Sequence, residues 1–499
     1  MIRRLLIANR GEIAIRIARA CRELGVESVA VYSDADAHAA HVSATDRAVH
    51  IGPPPPRESY LNIDALLDAA RRTEADAVHP GYGFLSENER FARACADAGL
   101  IFVGPPADAI ARMGSKIRAR AVATAAGVPV VPGSTPADQT DAGVLAAVNA
   151  IGVPALIKAS AGGGGRGMRQ VRHAGEALAA IQGARREAEA AFRDGTLYVE
   201  RLIERPHHIE VQVFADTHGH VVHLFERECS VQRRHQKVIE ESPSPNLTDT
   251  LRRRMTDAAV RAARAAGYVN AGTFEFLVDM GHGAADDAPF YFLEMNTRLQ
   301  VEHPVTEQVT GVDMVRAQML VASGAPLPWT QEQLAQRGHA IEARIYAEDP
   351  ATGFIPQAGP LLLYREPKIP GVRIDSGVRE GDRVSVHYDA MLAKVIATAE
   401  TRPLAIARLR EALLTFPVLG IRTNIGFLIR VLDSDAFRDG AVHTGYLDEE
   451  GAALASEPSP APPEFLRAVL AATSEGPSTA SEVLTRTWDP WGTVRGWNA

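Results

Sequence analysis

Two segments of this 499-residue chain concentrate side chains that could do chemistry. The first is Gly162-Gly163-Gly164-Gly165-Arg166-Gly167. A glycine run forms regular structure only at an entropic cost, so its use is close backbone approach to a ligand. Phosphate is the ligand class that suits exposed peptide N–H groups. Lys158 precedes the run by four residues, at the end of a strand-like Pro154–Ala159, where its ammonium can meet a phosphate. No Gly-Lys-Ser/Thr follows, which excludes a Walker P-loop. The bland alternative is a plain flexible loop.

The second segment is Glu294-Met295-Asn296-Thr297-Arg298-Leu299-Gln300-Val301-Glu302. In extended chain Glu294, Asn296, Arg298, Gln300 and Glu302 share one face. A solvent-facing edge strand would also alternate. This face, however, holds no Lys or Ser filler, and it follows the apolar Phe290-Tyr291-Phe292. Fully extended, it would span roughly 26 Å at ~3.3 Å per residue. The chain must therefore bend if all five serve one small substrate. Upstream, Gly272–Asp279 reads as a second strand and Gly281–Ala288 as its hairpin connection. A symmetric hairpin sets Glu275 opposite Glu294. Directly opposed carboxylates repel unless a cation sits between them. With Asn296 they make a hard-oxygen set suited to Mg²⁺ carrying nucleotide phosphates.

Gln232-Arg233-Arg234-His235-Gln236-Lys237 is either a solvated basic turn or, beside a Mg–nucleotide site, the source of Lys237 for a phosphate or an anionic cosubstrate. His208 and His235 lack zinc-motif spacing, which leaves them hydrogen-bonding roles. His79-Pro80-Gly81-Tyr82-Gly83-Phe84-Leu85-Ser86-Glu87-Asn88 follows a strand and opens a helix, the place where open α/β sheets bind ligands. A tight turn with an aromatic plug is the alternative there.

The elements that must position these groups follow from periodicity. Leu5–Ala8, Ser28–Tyr32, Asp76–His79 and Leu100–Val103 read as strands; Glu12–Leu24, Asn62–Arg72 and Glu87–Ala98 read as helices. This alternation implies a parallel sheet. The first turn, Asn9-Arg10-Gly11, lacks the three glycines of a dinucleotide fingerprint. Helical segments follow over Ala107–Ala126, then a linker at Val128–Gly133, a strand, the glycine run and a helix near Ala174–Arg193. Rising β-branched and aromatic content predicts antiparallel strands from Leu197 to Val278, and residues 331–446 read as mixed α and β.

Composition bounds the function. At ~150 residues per domain the length suggests about three domains. With 53 basic and 61 acidic residues, net charge −8, the chain as a whole is a poor polyanion binder and nucleic acid is not an expected partner. Three scattered cysteines, Cys21, Cys95 and Cys229, fit a reducing, cytoplasmic compartment. No apolar run approaches the ~18 residues of a membrane helix. The stretch Leu5-Leu6-Ile7-Ala8 is too short for a secretory signal.

Together the strings IANRGEIAIRI, HPGYGFLSEN, KASAGGGGRGMR, CSVQRRHQKVIEE, FLEMNTRLQVEHPVTE, HAIEARIYAEDP and TNIGFL resemble the biotin carboxylase family of ATP-grasp enzymes, over residues 1 to about 447. The resemblance implies an α/β and α+β fold. Residues 1–114 would form an N-terminal parallel-sheet domain and 115–330 an ATP-grasp core with a mobile lid at about 131–203. A mixed C-terminal domain would cover 331–447, and 448–499 would be a Pro/Ala-rich linker with a tail holding Trp488, Trp491 and Trp497, weakly ordered or docked on a partner.

By the same resemblance, ATP would be bound by Lys116, Lys158, Gly163, Gly164, Gly165, Gly167, Glu200, Ile203, His208, Gln232 and His235. Two Mg²⁺ or Mn²⁺ ions would sit on Glu275, Glu294 and Asn296. Lys237, Arg298, Gln300 and Val301 would hold bicarbonate, Glu302 would be the general base, Arg344 would stabilise the biotin enolate, and Tyr82 would lie beside biotin. The implied reaction is ATP-dependent carboxylation of biotin through carboxyphosphate, the first half-reaction of an acyl-CoA carboxylase. Three departures stand out: a long hairpin with Asp286-Asp287 at its tip, Arg201 where many relatives have lysine, and Ala390-Met391-Leu392-Ala393-Lys394 in place of a Met-Lys-Met biotin acceptor. Biotin would then arrive on a separate carrier protein or domain, with a carboxyltransferase subunit as further partner and a homodimer or larger oligomer as the assembly. The alternatives are another ATP-grasp carboxylate- or carbamate-forming ligase and a nucleotide-binding assembly subunit without catalysis.

Overall fold

The first hundred residues build a five-stranded parallel sheet in the order Arg47–Gly52, Glu27–Ser33, Arg4–Ile7, Ala77–His79, Ile101–Phe102. Its central strands are buried on both faces, as near-continuous apolar runs require. The helix Gly11–Leu24 ends at Gly25, whose φ of 67° is the left-handed cap that glycine adopts freely. The edge strand Arg47–Gly52 is absent from the sequence reading. It buries only Val49 and Ile51, so its apolar signal is half that of its neighbours.

The computed structural model describes residues 2–160, 167–281 and 285–456. Gly163, Gly164, Gly165 and the tryptophan tail lie outside the described residues. Ala107–Ala126 divides into two helices, Ala107–Met113 and Lys116–Ala125. Ser115 caps the second, so Lys116 opens it.

Gly133–Ser134, Leu197–Arg201, Ala155–Ala159 and Arg169–Val171 form a four-stranded antiparallel sheet in that order, backed by the helices Asp141–Ile151 and Ala177–Phe192. Part of the expected linker is thus a strand. Gly133 pairs with Glu200 so closely that a Cβ would stand 2.4 Å from the Val199 carbonyl oxygen.

The largest sheet has eight antiparallel strands. Their order is Phe290–Asn296, Asn270–Val278, His207–Ala215, Val221–Arg233, Gln236–Ser242, His339–Tyr346, Met391–Ala399, Val372–Ser376. It runs without a break across the region that holds the acidic hairpin and the region after residue 331, through pairs such as Ile239↔Ala343 and Glu240↔Glu342. The expectation of strands throughout Leu197–Val278 is corrected at one place. Asp249–Ala266 is an 18-residue helix, capped by Thr248 and ended by a left-handed Gly267. Its alanines pack on Ile209, Val211 and Val213, so tertiary burial confirms a helical period that β-rich flanks obscured. No helix among the described residues is long and apolar enough to cross a membrane.

Burial holds two N-terminal histidines neutral. The His79 imidazole is pushed down to about 3 and that of His41 to about 4, burial being the main cause in both. Unfolded, each titrates near 6.5. Their contribution to stability is therefore complete above that value and is lost as pH falls toward the folded values, at about 1.4 kcal/mol per pH unit and group. The urea midpoint of wild type should fall more steeply between pH 6 and 4 than that of His79→Asn. Equal slopes would overturn the assignment.

Candidate active site

The two antiparallel sheets line a cleft of about 1080 Å³. Among the described residues, every ATP, metal and bicarbonate candidate named from the sequence lines it except Gly167, and the biotin candidate Tyr82 does not. The chain does bend as the spacing requires. The strand stops at Asn296, residues 297–302 turn, and Glu302 stands at the start of the helix His303–Thr310.

Lys237 is the hub. Its Nζ lies 2.5 Å from Glu210 Oε2, 2.6 Å from Glu302 Oε1 and 2.9 Å from Glu275 Oε1. Burial alone would discharge it, but these three carboxylates hold the ammonium well above its ordinary range. Burial would likewise protonate Glu302, yet Lys237, Arg344 and Arg227 keep its carboxyl well below the usual range. Arg344 donates from Nη2 to Glu302 Oε2 at 3.0 Å and from Nε to Glu240 Oε1 at 2.6 Å. Arg298 reaches Glu87 at 3.1 Å, Gln300 Oε1 at 2.5 Å and Asn296 Oδ1 at 3.1 Å. An ionised carboxylate thus faces a row of cations, an arrangement suited to an anion and a base on one wall.

The hairpin register sets Glu275 opposite Glu294. An extra residue, Leu293, shifts the pairing below them so that Phe276 faces Phe292. Asn296 Nδ2 donates to Glu275 Oε1 at 2.7 Å. Glu294 is pushed up, first by burial and then by the charge of Glu275. Glu275 itself is held well below the usual range, against burial, by Lys237 and His208. Two opposed acids with an amide beside them fit a hard divalent cation. His208 Nε2 sits 3.0 Å from Glu275 Oε2, and that charge outweighs burial to hold the imidazole up. Lys116 opposes Glu294 and is pulled down, burial being the largest cause.

Two expected residues have protein partners of their own. Glu200 turns its carboxylate onto Lys158 at 2.7 Å and Arg120 at 2.6 Å. Tyr82 is half-buried and donates its hydroxyl to Glu12. Gly167 has φ 71° and packs against Ala159, where a Cβ would meet Ala159 Cβ at 2.9 Å.

Sequence reasoning missed Glu210, Arg227, Glu240, Glu87 and Arg120. Arg227, fully buried, braces Glu210 at 2.5 Å and Thr306 at 2.8 Å, which fixes the floor of the hub. A signal existed. His208, Glu210 and Gln212 alternate with apolar residues in a strand buried on both faces, so that polar row had to serve something. Lys394 is fully buried against Glu12 at 3.0 Å and the Val301 carbonyl at 2.8 Å.

Comparison with known proteins decides the family. Residues 1–110 match the biotin carboxylase N-terminal domain, 342–449 the biotin carboxylase C-terminal domain, and 115–330 the ATP-binding domain of the carbamoyl-phosphate synthase L chain. Biotin carboxylase of Halalkalibacterium halodurans is 49% identical over 447 residues, 90% of this chain and 97% of that protein. The chain belongs to the biotin carboxylase family.

Other members of the biotin carboxylase family place it further. The methylcrotonoyl-CoA carboxylase α subunit of Rattus norvegicus is 50% identical over 449 residues, 90% of this chain, and the chain spans 62% of that subunit's length. A biotin carboxylase structure from Campylobacter jejuni, a β-γ-ATP complex, superposes with a TM-score of 0.86 at 44% identity, covering 90% of this chain and 99% of that one. So does the dimeric biotin carboxylase domain of Hydrogenobacter thermophilus 2-oxoglutarate carboxylase with MgADP and bicarbonate, at TM-score 0.86 and 43% identity, covering 91% and 99%.

Proposed function

We propose that this chain is the ATP-dependent ligase that carboxylates biotin on a separate carrier, with bicarbonate as the carbon source. The observation that carries the reading is Glu302, ionised and clamped between Lys237 and Arg344 in the cleft. Bicarbonate entering this wall competes for Lys237 and Arg298. That removes part of what holds the Glu302 carboxyl down, so its basicity rises when the proton to be taken is present. The bicarbonate oxygen attacks the γ-phosphate of ATP and forms carboxyphosphate. Lys116 and Lys158 spread the phosphate charge. Mg²⁺ on Glu275, Glu294 and Asn296 would add charge neutralisation of the nucleotide phosphates. Carboxyphosphate yields CO₂ and phosphate, the phosphate takes the ureido N–H proton of biotin, Arg344 offsets the developing oxyanion, and the freed ureido nitrogen attacks CO₂ to give carboxybiotin.

The remaining roles follow the same reading. Ile203, His208, Gln232 and His235 line the nucleotide end. Gln300 and Val301 shape the bicarbonate pocket, and Tyr82 lies beside biotin. Residues 131–203 act as a lid on the core of 115–330, between the domain of 1–114 and that of 331–447. The chain works as a homodimer or larger assembly in the cytoplasm, next to a biotin carrier and the carboxyltransferase of an acyl-CoA carboxylase. The buried Lys394 supports a carrier outside this part of the chain, since a buried amine cannot be biotinylated.

Bicarbonate-dependent ATP hydrolysis tests the reading. Free biotin should stimulate it. A carbamate-forming ligase or an inactive assembly subunit would show no such stimulation, and that result would overturn the proposal.

A further inference from the structure

The expected ATP contact Glu200 is paired with two cations. Lys158 Nζ lies 2.7 Å from one carboxylate oxygen and Arg120 Nη1 2.6 Å from the other. Both Lys158 and Glu200 are buried, at 3% and 5% exposure. Arg120 comes from the helix Lys116–Ala125, the same helix whose first residue is Lys116. Its second amino group donates to the Val131 carbonyl, on the stretch that enters the four-stranded sheet. Glu200 itself lies on Leu197–Arg201, an inner strand of that sheet. Arg120 thus ties together three separate elements behind the phosphate-facing lysines.

From this geometry we propose that Arg120 is a positioning residue for the phosphate end of the nucleotide, acting through Glu200 on Lys158. The inference rests on the nucleotide-binding reading above. A Lys158–Glu200 pair alone is neutral, so its lysine is a poor partner for a phosphate. The trio Arg120–Glu200–Lys158 carries one net positive charge, and it stands in a buried place where screening is weak. Glu200, shared with Arg120, holds Lys158 in position without cancelling it. Arg120 does not line the large cleft. Its effect must therefore pass through Glu200.

The test compares ligands with and without phosphate. In Arg120→Met, the Kd for ADP and the KM for ATP should rise about tenfold, while the Kd for adenosine stays within about twofold. Arg120→Lys should restore most of the loss. The double variant Arg120→Met/Glu200→Gln is decisive, because it removes one charge of each sign and leaves Lys158 positive. It should bind ADP more tightly than Arg120→Met alone. A merely structural role predicts the reverse, with the double variant weaker than the single. That result, or an equal loss of ADP and adenosine binding, would overturn the inference. Calorimetric binding of ADP and adenosine needs neither biotin nor bicarbonate. A wild type without biotin-stimulated turnover would sink the proposed function while this comparison still decided the role of Arg120.

Discussion

Glu302→Gln should lower biotin-stimulated, bicarbonate-dependent ATP hydrolysis by about 10²–10⁴-fold, the range for losing a general base. The change is isosteric, so the amide oxygen still accepts from Lys237, which stands 2.6 Å away in wild type. What disappears is the proton acceptor and one negative charge. The KM for ATP should move little, because Lys116 and Lys158, the lysines proposed to meet the phosphates, come from other elements. In wild type the carboxyl is held well below the usual range, against burial, by Lys237, Arg344 and Arg227. A carboxylate so held stays ionised through the neutral range, and what it contributes to stability is lost only as pH falls below the ordinary carboxylate range, through its folded value. Stimulation by biotin that survives the substitution unchanged would end the case for Glu302 as base.

Lys237→Met should be the most damaging single change to the centre. It leaves Glu210, Glu275 and Glu302 buried around a thioether, all within 2.9 Å of where Nζ stood. Removing one member of a buried charge network costs about 3–5 kcal/mol. Turnover should fall by at least ~10² as well, since Lys237 also holds the anion. The stability loss has a definite pH sign. Without the ammonium, burial and mutual repulsion raise these carboxyls above their unfolded values. Their protonated forms then favour the fold as pH drops, so the deficit measured by urea should shrink from pH 7.5 to pH 5. Adding Glu210→Gln should recover part of the stability and none of the turnover. A deficit that is constant with pH would show that the three acids do not share the lysine.

Much of this centre was legible in one dimension. The alternation from Glu294 to Glu302 named five polar groups, and hairpin symmetry paired Glu275 with Glu294 before any coordinates. Both are short-range properties: side chains alternate along extended chain, and a hairpin's register follows from its ends. The tight turn after Asn296 was legible only as a necessity, since an extended row cannot converge on a small substrate.

Other features needed the third dimension. Glu240 and Glu87 come from elements far along the chain from Arg344 and Arg298, and nothing in their own neighbourhoods marks them as partners. Glu200 lost its free carboxylate to Arg120 across 80 residues. The edge strand Arg47–Gly52 and the helix Asp249–Ala266 were hidden, one by its exposed side chains and one by its β-rich flanks. The sequence by itself determined which residue types meet and on which face of each strand, because covalent geometry sets that period. Only the tertiary structure decided which buried charges neutralise one another, because Coulomb attraction in a low-dielectric interior depends on distance in space, and separation along the chain does not encode it.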